Sequence, residues 1–367
     1  MRVAFLVATC LLMMVPHAVA GDGFHRENLR IPFPLAGPRG LEAILIRPEP
    51  VRPEDAQKYP LALISHGAPR EANVRAEMGP NRFYAQAMEF ARRGFAALVV
   101  MRRGYGTSDG EYSESNGPCA SPDYMVSARA SAEDLRAAIA AMKSRNDVTT
   151  DGMIAVGQSA GGFASLALSA NAPPGLVATI NFAGGRGSPA NNKVCDEAQL
   201  VETFGKFGAT SRVPQLWIYT QNDLYFSPEL AKKFHAAFTA AGGKAQLIDA
   251  PAFGNDGHNL FSGGIDRWTP YVDAFLREHN LGRRELIAAP PLPDLQPPPQ
   301  LAARYRDSFT LYLKSGPHKA FAVSPTGAFS WRVGRRSVQD AKDDALKGCA
   351  EHAPNCAIYA VDDALVK

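Results

Sequence analysis

The chain carries little net charge. Its 39 Lys and Arg are nearly matched by 36 Asp and Glu, leaving +3, and no basic stripe is interleaved with aromatics. On this reading nucleic acid is excluded as a partner. Arg102-Arg103 and Arg335-Arg336 are isolated pairs, expected on solvated surface rather than around a phosphate. Cysteine is scarce, with five in all. No C-x-x-C or paired-His spacing accompanies them, so neither a metal nor a cofactor is called for. Long apolar runs are confined to Val3–Val15, which stops at Pro16 and is too short to cross a bilayer, so no stable membrane insertion is expected. No internal repeat is visible.

What that first run does have is the form of a secretory signal. Arg2 supplies the charge, the apolar stretch follows, and Ala18-Val19-Ala20 precedes Gly21 as a cleavage site, making residues 1–20 a signal peptide. Cys10 leaves with it. Cys119, Cys195, Cys349 and Cys356 remain, an even number in an exported chain, which suggests disulfides. Of three connectivities, Cys119–Cys195 with Cys349–Cys356 is favoured because a linker separates the two pairs. The expected location is outside the cytoplasm, either periplasmic or secreted.

Along the chain, Asn28–Pro34 and Leu41–Arg47 alternate about a Gly-Pro-Arg-Gly turn and read as an opening antiparallel pair. Leu61–Ser65, Phe95–Met101, Met153–Val156, Leu176–Phe182, Gln215–Tyr219 and Gln246–Ile248 are short apolar runs, as in strands buried on both faces. Helical patterns at 82–93, 126–145, 162–168, 228–241 and 268–279 alternate with them. The fold class is α/β, a doubly wound and mostly parallel sheet. Residues 21–283 form the catalytic domain. Residues 284–300 are a Pro-rich linker with Pro290-Pro291, Pro293 and Pro297-Pro298-Pro299. Residues 301–367 are a small α+β module with a hairpin turn at Ser324–Gly327, stapled by Cys349–Cys356.

The chemistry centres on Gly157-Gln158-Ser159-Ala160-Gly161, between the strand Met153–Val156 and a small-residue helix. This G-x-S-x-G corner lifts a serine above the sheet at a helix N-terminus, and the glycines avoid collision where strand and helix meet. A serine hydroxyl needs a histidine to take its proton and a carboxylate to hold that histidine's tautomer. In this arrangement the acid follows a late strand and the histidine follows the last one. Asp223 stands just past the strand Trp217–Thr220, and His258 lies in a loop after Gln246–Ile248. Asp256, two residues from His258, is the second candidate acid and reads better as a turn former. The expected oxyanion donors are the amides of Ala160, after the serine, and of Ala68, with Gly67 as the second candidate, in the loop after the strand Leu61–Ser65. Pro69 has no N–H to give. His66 beside that loop reads as a packing and orienting residue. Tyr225 and Phe226, next to Asp223, line the pocket or belong to the core. The segments 110–124 and 184–206 are long connections and read either as a partial lid joined by Cys119–Cys195 or as a stapled surface loop.

Ser65-His66-Gly67, Arg103-Gly104-Tyr105-Gly106-Thr107-Ser108-Asp109-Gly110, the serine corner, Asn222-Asp223 and Asp256-Gly257-His258 together resemble an α/β-hydrolase of the dienelactone-hydrolase-like group over residues 28–281. Those enzymes use a cysteine nucleophile where this chain has Ser159, which points away from dienelactone and toward esters. The last module is similar to small cysteine-bearing repeats of exported bacterial proteins, and is a candidate for attachment to an envelope component. The expected function is an exported serine hydrolase of small-molecule carboxylic esters. A serine peptidase of the same fold and an envelope-binding protein built on a hydrolase fold are the alternatives.

Overall fold

The computed structural model describes residues 22–50, 54 and 56–366. The signal-peptide reading of residues 1–20 lies outside them. The first element, β1 (Phe24–Ile31), pairs antiparallel with β2 (Leu41–Pro48) in an eight-stranded sheet. Then follow β3 (Tyr59–Ser65), α1 (Tyr84–Arg92), β4 (Ala96–Val100), α2 (Tyr124–Lys143), β5 (Val148–Gln158) and α3 (Ala160–Ala170). The sheet is completed by β6 (Leu176–Phe182), α4 (Glu197–Thr210), β7 (Gln215–Thr220), α5 (Pro228–Ala240), β8 (Ala245–Ala250), α6 (Leu260–Gly263) and α7 (Ile265–Glu278). Strand order is β1-β2-β4-β3-β5-β6-β7-β8, parallel from β4 to β8. The doubly wound parallel sheet expected from the sequence is therefore present. Among the described residues no helix is long and apolar enough to cross a membrane.

The apolar runs are continuous because both faces of the sheet are covered. Leu61 and Leu63 of β3 belong to the core under α2 and α3, which continues to α4 and α5, while Ala62 and Ile64 belong to the core with α1 and α7 on the other side. Burying one such leucine is worth about 2 kcal/mol. Packing of Phe90, Phe182 and Phe261 around Trp268, with Phe90 stacked and Phe182 edge-on, closes the second face.

Several boundaries differ from expectation, among them the start of β5 at Val148 and of α7 at Ile265, and two have a plain cause. β1 begins at Phe24 and stops at Ile31, because Pro32 and Pro34 cannot donate to a ladder. Residues 197–206, read as part of a long connection, belong to α4. Asp196 caps it by accepting from the Gln199 amide, and Leu200, Phe204 and Phe207 bury one helical stripe.

After residue 300 come α8 (Arg306–Lys314), β9 (Ala320–Val323), β10 (Phe329–Arg332), α9 (Val338–Ala350), β11 (Ala357–Val361) and β12 (Ala364–Leu365), whose strands form a second, antiparallel sheet ordered β10-β9-β11-β12. Helix α8 was not foreseen. It buries Phe309 and Tyr312 against Phe321, so a second core sits on the sheet face away from α9. Cys349 of α9 is bonded to Cys356, just before β11.

Candidate active site

The corner between β5 and α3 holds Ser159 at φ 56°, ψ −124°, a left-handed backbone that few non-glycine residues adopt. Its amide donates to Phe182 O at 2.9 Å and its carbonyl accepts from the amides of Phe163 and Gly185. Both flanking glycines are sterically required: a Cβ at Gly157 would collide with the Gly161 carbonyl, and one at Gly161 with the Ser65 carbonyl. The turn after β3 comes equally close, since a Cβ at Gly67 would lie 3.1 Å from Ser159 Cβ. Ala68 and Ala160 share with Ser159 the lining of a cavity of about 270 Å³.

His258 sits in a one-turn helix, Gly257–Asn259, and its Nδ1 is 3.0 Å from Asp223 Oδ2. A carboxylate can only accept, so in the neutral ring this contact selects the tautomer with the hydrogen on Nδ1 and the lone pair on Nε2. Asp223 is held in turn: its Oδ1 accepts from the amides of Tyr225 at 2.7 Å and Phe226 at 2.9 Å, and its side chain is fully buried. Gln158, the residue before the serine, donates from Nε2 to the His258 carbonyl at 2.8 Å, tying the corner to the histidine loop. Gly257 has no room for a Cβ, which would strike Thr220 Oγ1. Asp256 faces backbone rather than imidazole, accepting from the His258 and Leu224 amides at 3.0 Å.

Tyr225 stacks on the His258 ring at 4.0 Å, and the Arg70 guanidinium covers its other face at 3.8 Å. Arg70 is pinned by Ser188 and Asn191 across the cavity mouth. Tyr225 and Phe226 both line the cavity, and Phe226 also packs into the core. The lining also carries Cys119 bonded to Cys195, which joins the two loops expected to flank the site.

A buried charge cluster underlies this cavity, and sequence reading missed it. Arg102 and Arg103, expected on solvated surface, are 0% and 7% exposed. Arg103 pairs with Asp134 at 2.6 Å. Arg102 pairs with Glu114, which also receives Arg186 and, at 3.1 Å, the Tyr105 hydroxyl. Burial alone would raise the Glu114 carboxyl, but Arg102 and Arg186 overcome it and hold the group at about 2. Arg102 also donates to Ser65 Oγ at 2.7 Å and His66 O at 2.9 Å, and its amide donates to His66 Nε2 at 3.1 Å. His66 uses Nδ1 on the Gly67 carbonyl at 2.7 Å. Burial, reinforced by Arg102, depresses its pKa well below the ordinary value, so it is a neutral strut under the Gly67 turn. A doublet of arginines looks solvated in one dimension because Glu114, twelve residues on, meets it only in the folded loop. Among the described residues no group of three or more His, Cys, Asp and Glu side chains is gathered as a metal would need.

The family model described as X-Pro dipeptidyl-peptidase (S15 family) matches residues 41–201. That span holds the Gly67 turn, the serine corner and Glu114, and ends before Asp223 and His258. No curated relative matches the chain. Among solved structures, a putative dienelactone hydrolase from Klebsiella pneumoniae is 13% identical, with 70% of this chain and 98% of that one covered and a TM-score of 0.49. An esterase from Pyrococcus furiosus is 12% identical, with 70% and 91% covered and a TM-score of 0.47. An acylaminoacyl peptidase from Pyrococcus horikoshii is 12% identical, with 70% and 42% covered and a TM-score of 0.47. The resemblance drawn from the motifs is borne out at the level of the fold. Sheet order, serine corner and family match together make the chain a serine hydrolase of the α/β-hydrolase fold.

Proposed function

We propose that the chain hydrolyses carboxylic esters through an acyl-enzyme. Ser159 is the nucleophile, His258 the base and then the acid, and Asp223 the group that orients His258. The amides of Ala160 and Ala68 hold the oxyanion. The observation that carries this reading is the 3.0 Å pairing of His258 Nδ1 with Asp223, tied by Gln158 to the serine corner. With Nδ1 engaged, Nε2 is the nitrogen left to take the Ser159 proton as Oγ attacks the carbonyl carbon. The tetrahedral intermediate puts its negative charge toward the first turn of α3 and the Gly67–Ala68 backbone, where donors cost no reorganisation. His258 returns the proton to the departing alcohol. It then takes one from water as the water oxygen attacks the acyl carbon, and returns it to Ser159 Oγ as the Oγ–acyl bond breaks and the acid leaves.

An ester is favoured over a peptide with a free amino end by the charges around the cavity. Of the described side chains lining it, Glu114 is the one carboxylate, and it is already engaged by Arg102, Arg186 and Tyr105. Arg70 and Arg186 stand beside it. An ammonium group would meet the Arg70 guanidinium and no free anion, a costly arrangement in a partly desolvated site. Peptide hydrolysis remains the second reading, on the strength of the match to the X-Pro dipeptidyl-peptidase family.

Export, to the periplasm or beyond, is part of the proposal; two bonded cysteine pairs support it, as does the N-terminal apolar run. So is attachment of the 301–367 module to an envelope component. Equal binding of the full chain and of a chain ending at Gln300 to isolated envelopes would remove that clause. The activity is tested with short and medium nitrophenyl esters and with X-Pro nitroanilides, using mature protein and Ser159→Ala. Serine-dependent ester turnover is expected. Turnover that survives Ser159→Ala sinks the mechanism, and cleavage of the anilides alone transfers the reading to a peptidase.

A further inference from the structure

The unit after the linker is seated on the segment that leads away from the proposed oxyanion donor. That segment is a six-residue 3₁₀ helix, Ala72–Glu77, followed by Met78 and a second short turn, Pro80–Phe83. The last carbonyls of any helix lack intrahelical partners and carry the negative end of its dipole. Here one side chain from the distant unit meets one of them and the carbonyl of the capping residue: Arg336 Nη1 donates to Ala76 O at 3.0 Å and to Met78 O at 3.2 Å. Around it the fit is close. A Cβ at Gly334 would lie 2.8 Å from Arg82 Cα, one at Gly316 would collide with the Tyr84 ring, and Asn81 Nδ2 is 3.2 Å from His318 Nδ1.

From that clamp, packed groups run inward without a break. On its inner side the segment is held by the Gly106 amide, which donates to Arg75 O at 2.9 Å, and by Arg75, whose guanidinium covers Tyr112 at 3.9 Å. Met78 is buried with Met101 and Tyr105, and Ala68 and Tyr112 pack against that group. Tyr105 meets His66 edge-on at 4.5 Å, and His66 holds the Gly67 carbonyl. The loop carrying the Ala68 amide is thus fixed from inside by Arg102 and from outside by the second unit.

We propose that Arg336 is a positioning residue for the oxyanion donor, and that the C-terminal unit braces the active site of the hydrolase to which it is attached. This rests on the assignment of Ala68 to the oxyanion hole. Arg336 touches no substrate. It sets the backbone that carries Met78, and through Met78 the depth at which Ala68 faces the tetrahedral intermediate. A donor is worth on the order of 100-fold in kcat, and displacing it by a fraction of an ångström forfeits part of that.

The test uses the full-length mature protein. Arg336→Ala should lower kcat on a nitrophenyl ester roughly three- to tenfold with KM within about twofold, the signature of an interaction made in the transition state. Binding of a trifluoromethyl ketone, whose hemiketal oxyanion occupies the same hole, should weaken in proportion to kcat. Arg336→Lys, which still places a cation at those carbonyls, should recover most of the loss. Gly334→Ala keeps the Arg336 side chain but presses a Cβ on the Arg82 backbone, which shifts Arg336 from its carbonyls, and should reproduce the kcat effect even if Arg336→Ala does not fold. An unchanged kcat in either folded variant, or a loss confined to KM, overturns the proposal. Ser159→Ala is run alongside: turnover that survives it shows that the assignment of the site has failed, whereas a dead Ser159→Ala with a normal Arg336→Ala shows that only the brace has.

Discussion

Replacing Glu114 by glutamine tests the charge cluster beneath the cavity most sharply. The side chain keeps its volume, and two buried guanidiniums, Arg102 and Arg186, lose their shared carboxylate. The cost can be worked in two ways. The carboxyl is held at about 2 against an ordinary 4.5, and at 1.36 kcal/mol per unit that preference is worth about 3 kcal/mol. Breaking a buried ion pair by removing one partner independently costs about 3–5 kcal/mol. The sign with pH follows from the lowered value. Between pH 4.5 and 2 the unfolded chain takes up this proton before the native state does, so the stabilisation is complete above 4.5 and is lost as pH falls through 2. Urea unfolding of wild type and Glu114→Gln should therefore differ by about 3 kcal/mol at pH 7, and the gap should close as pH approaches 2. A gap below about 1 kcal/mol at pH 7, or one that does not narrow in acid, would refute the reasoning.

Other outcomes follow from the same geometry. Asp223→Asn keeps an acceptor for the Tyr225 and Phe226 amides but favours the wrong histidine tautomer, so kcat on esters should fall on the order of 10⁴-fold with little change in melting temperature. A loss under tenfold would mean that Asp223 does not orient His258. Converting Cys119 and Cys195 together to serine opens a loop closed over a separation of 76 residues, and should cost about 4 kcal/mol on the loop-entropy account. Because both cysteines line the cavity, KM for esters should rise as well. Calorimetry with steady-state kinetics checks both, and an unaltered KM would separate the staple from the substrate site.

How much of this was legible in the sequence depended on how far apart the cooperating residues lie. The strands of the sheet core could be read because each is a contiguous run whose alternate residues meet two helical layers. The serine corner could be read because its glycines answer collisions within a few residues and with one neighbouring strand. Asp223 and His258 could be placed because each closes a strand on the same edge of the sheet, and chain order follows strand order there. Helix α4 was passed over although Leu200, Phe204 and Phe207 keep helical spacing, because Gly205 and Gly208 lowered the local propensity.

By itself, then, the chain's local pattern determined the sheet, the helices that cover it and the serine with its glycines, since those depend on periodicity and on sterics between near neighbours. Only the tertiary structure decided the electrostatics. Arg102 becomes a buried strut because Glu114 and Arg186 converge on it from other loops, and His66 becomes neutral because it is enclosed with them. Arg336 acquires its carbonyl partners 258 and 260 positions away in the same manner. Charge, burial and capping depend on what arrives from elsewhere in the chain, and no window of sequence contains that.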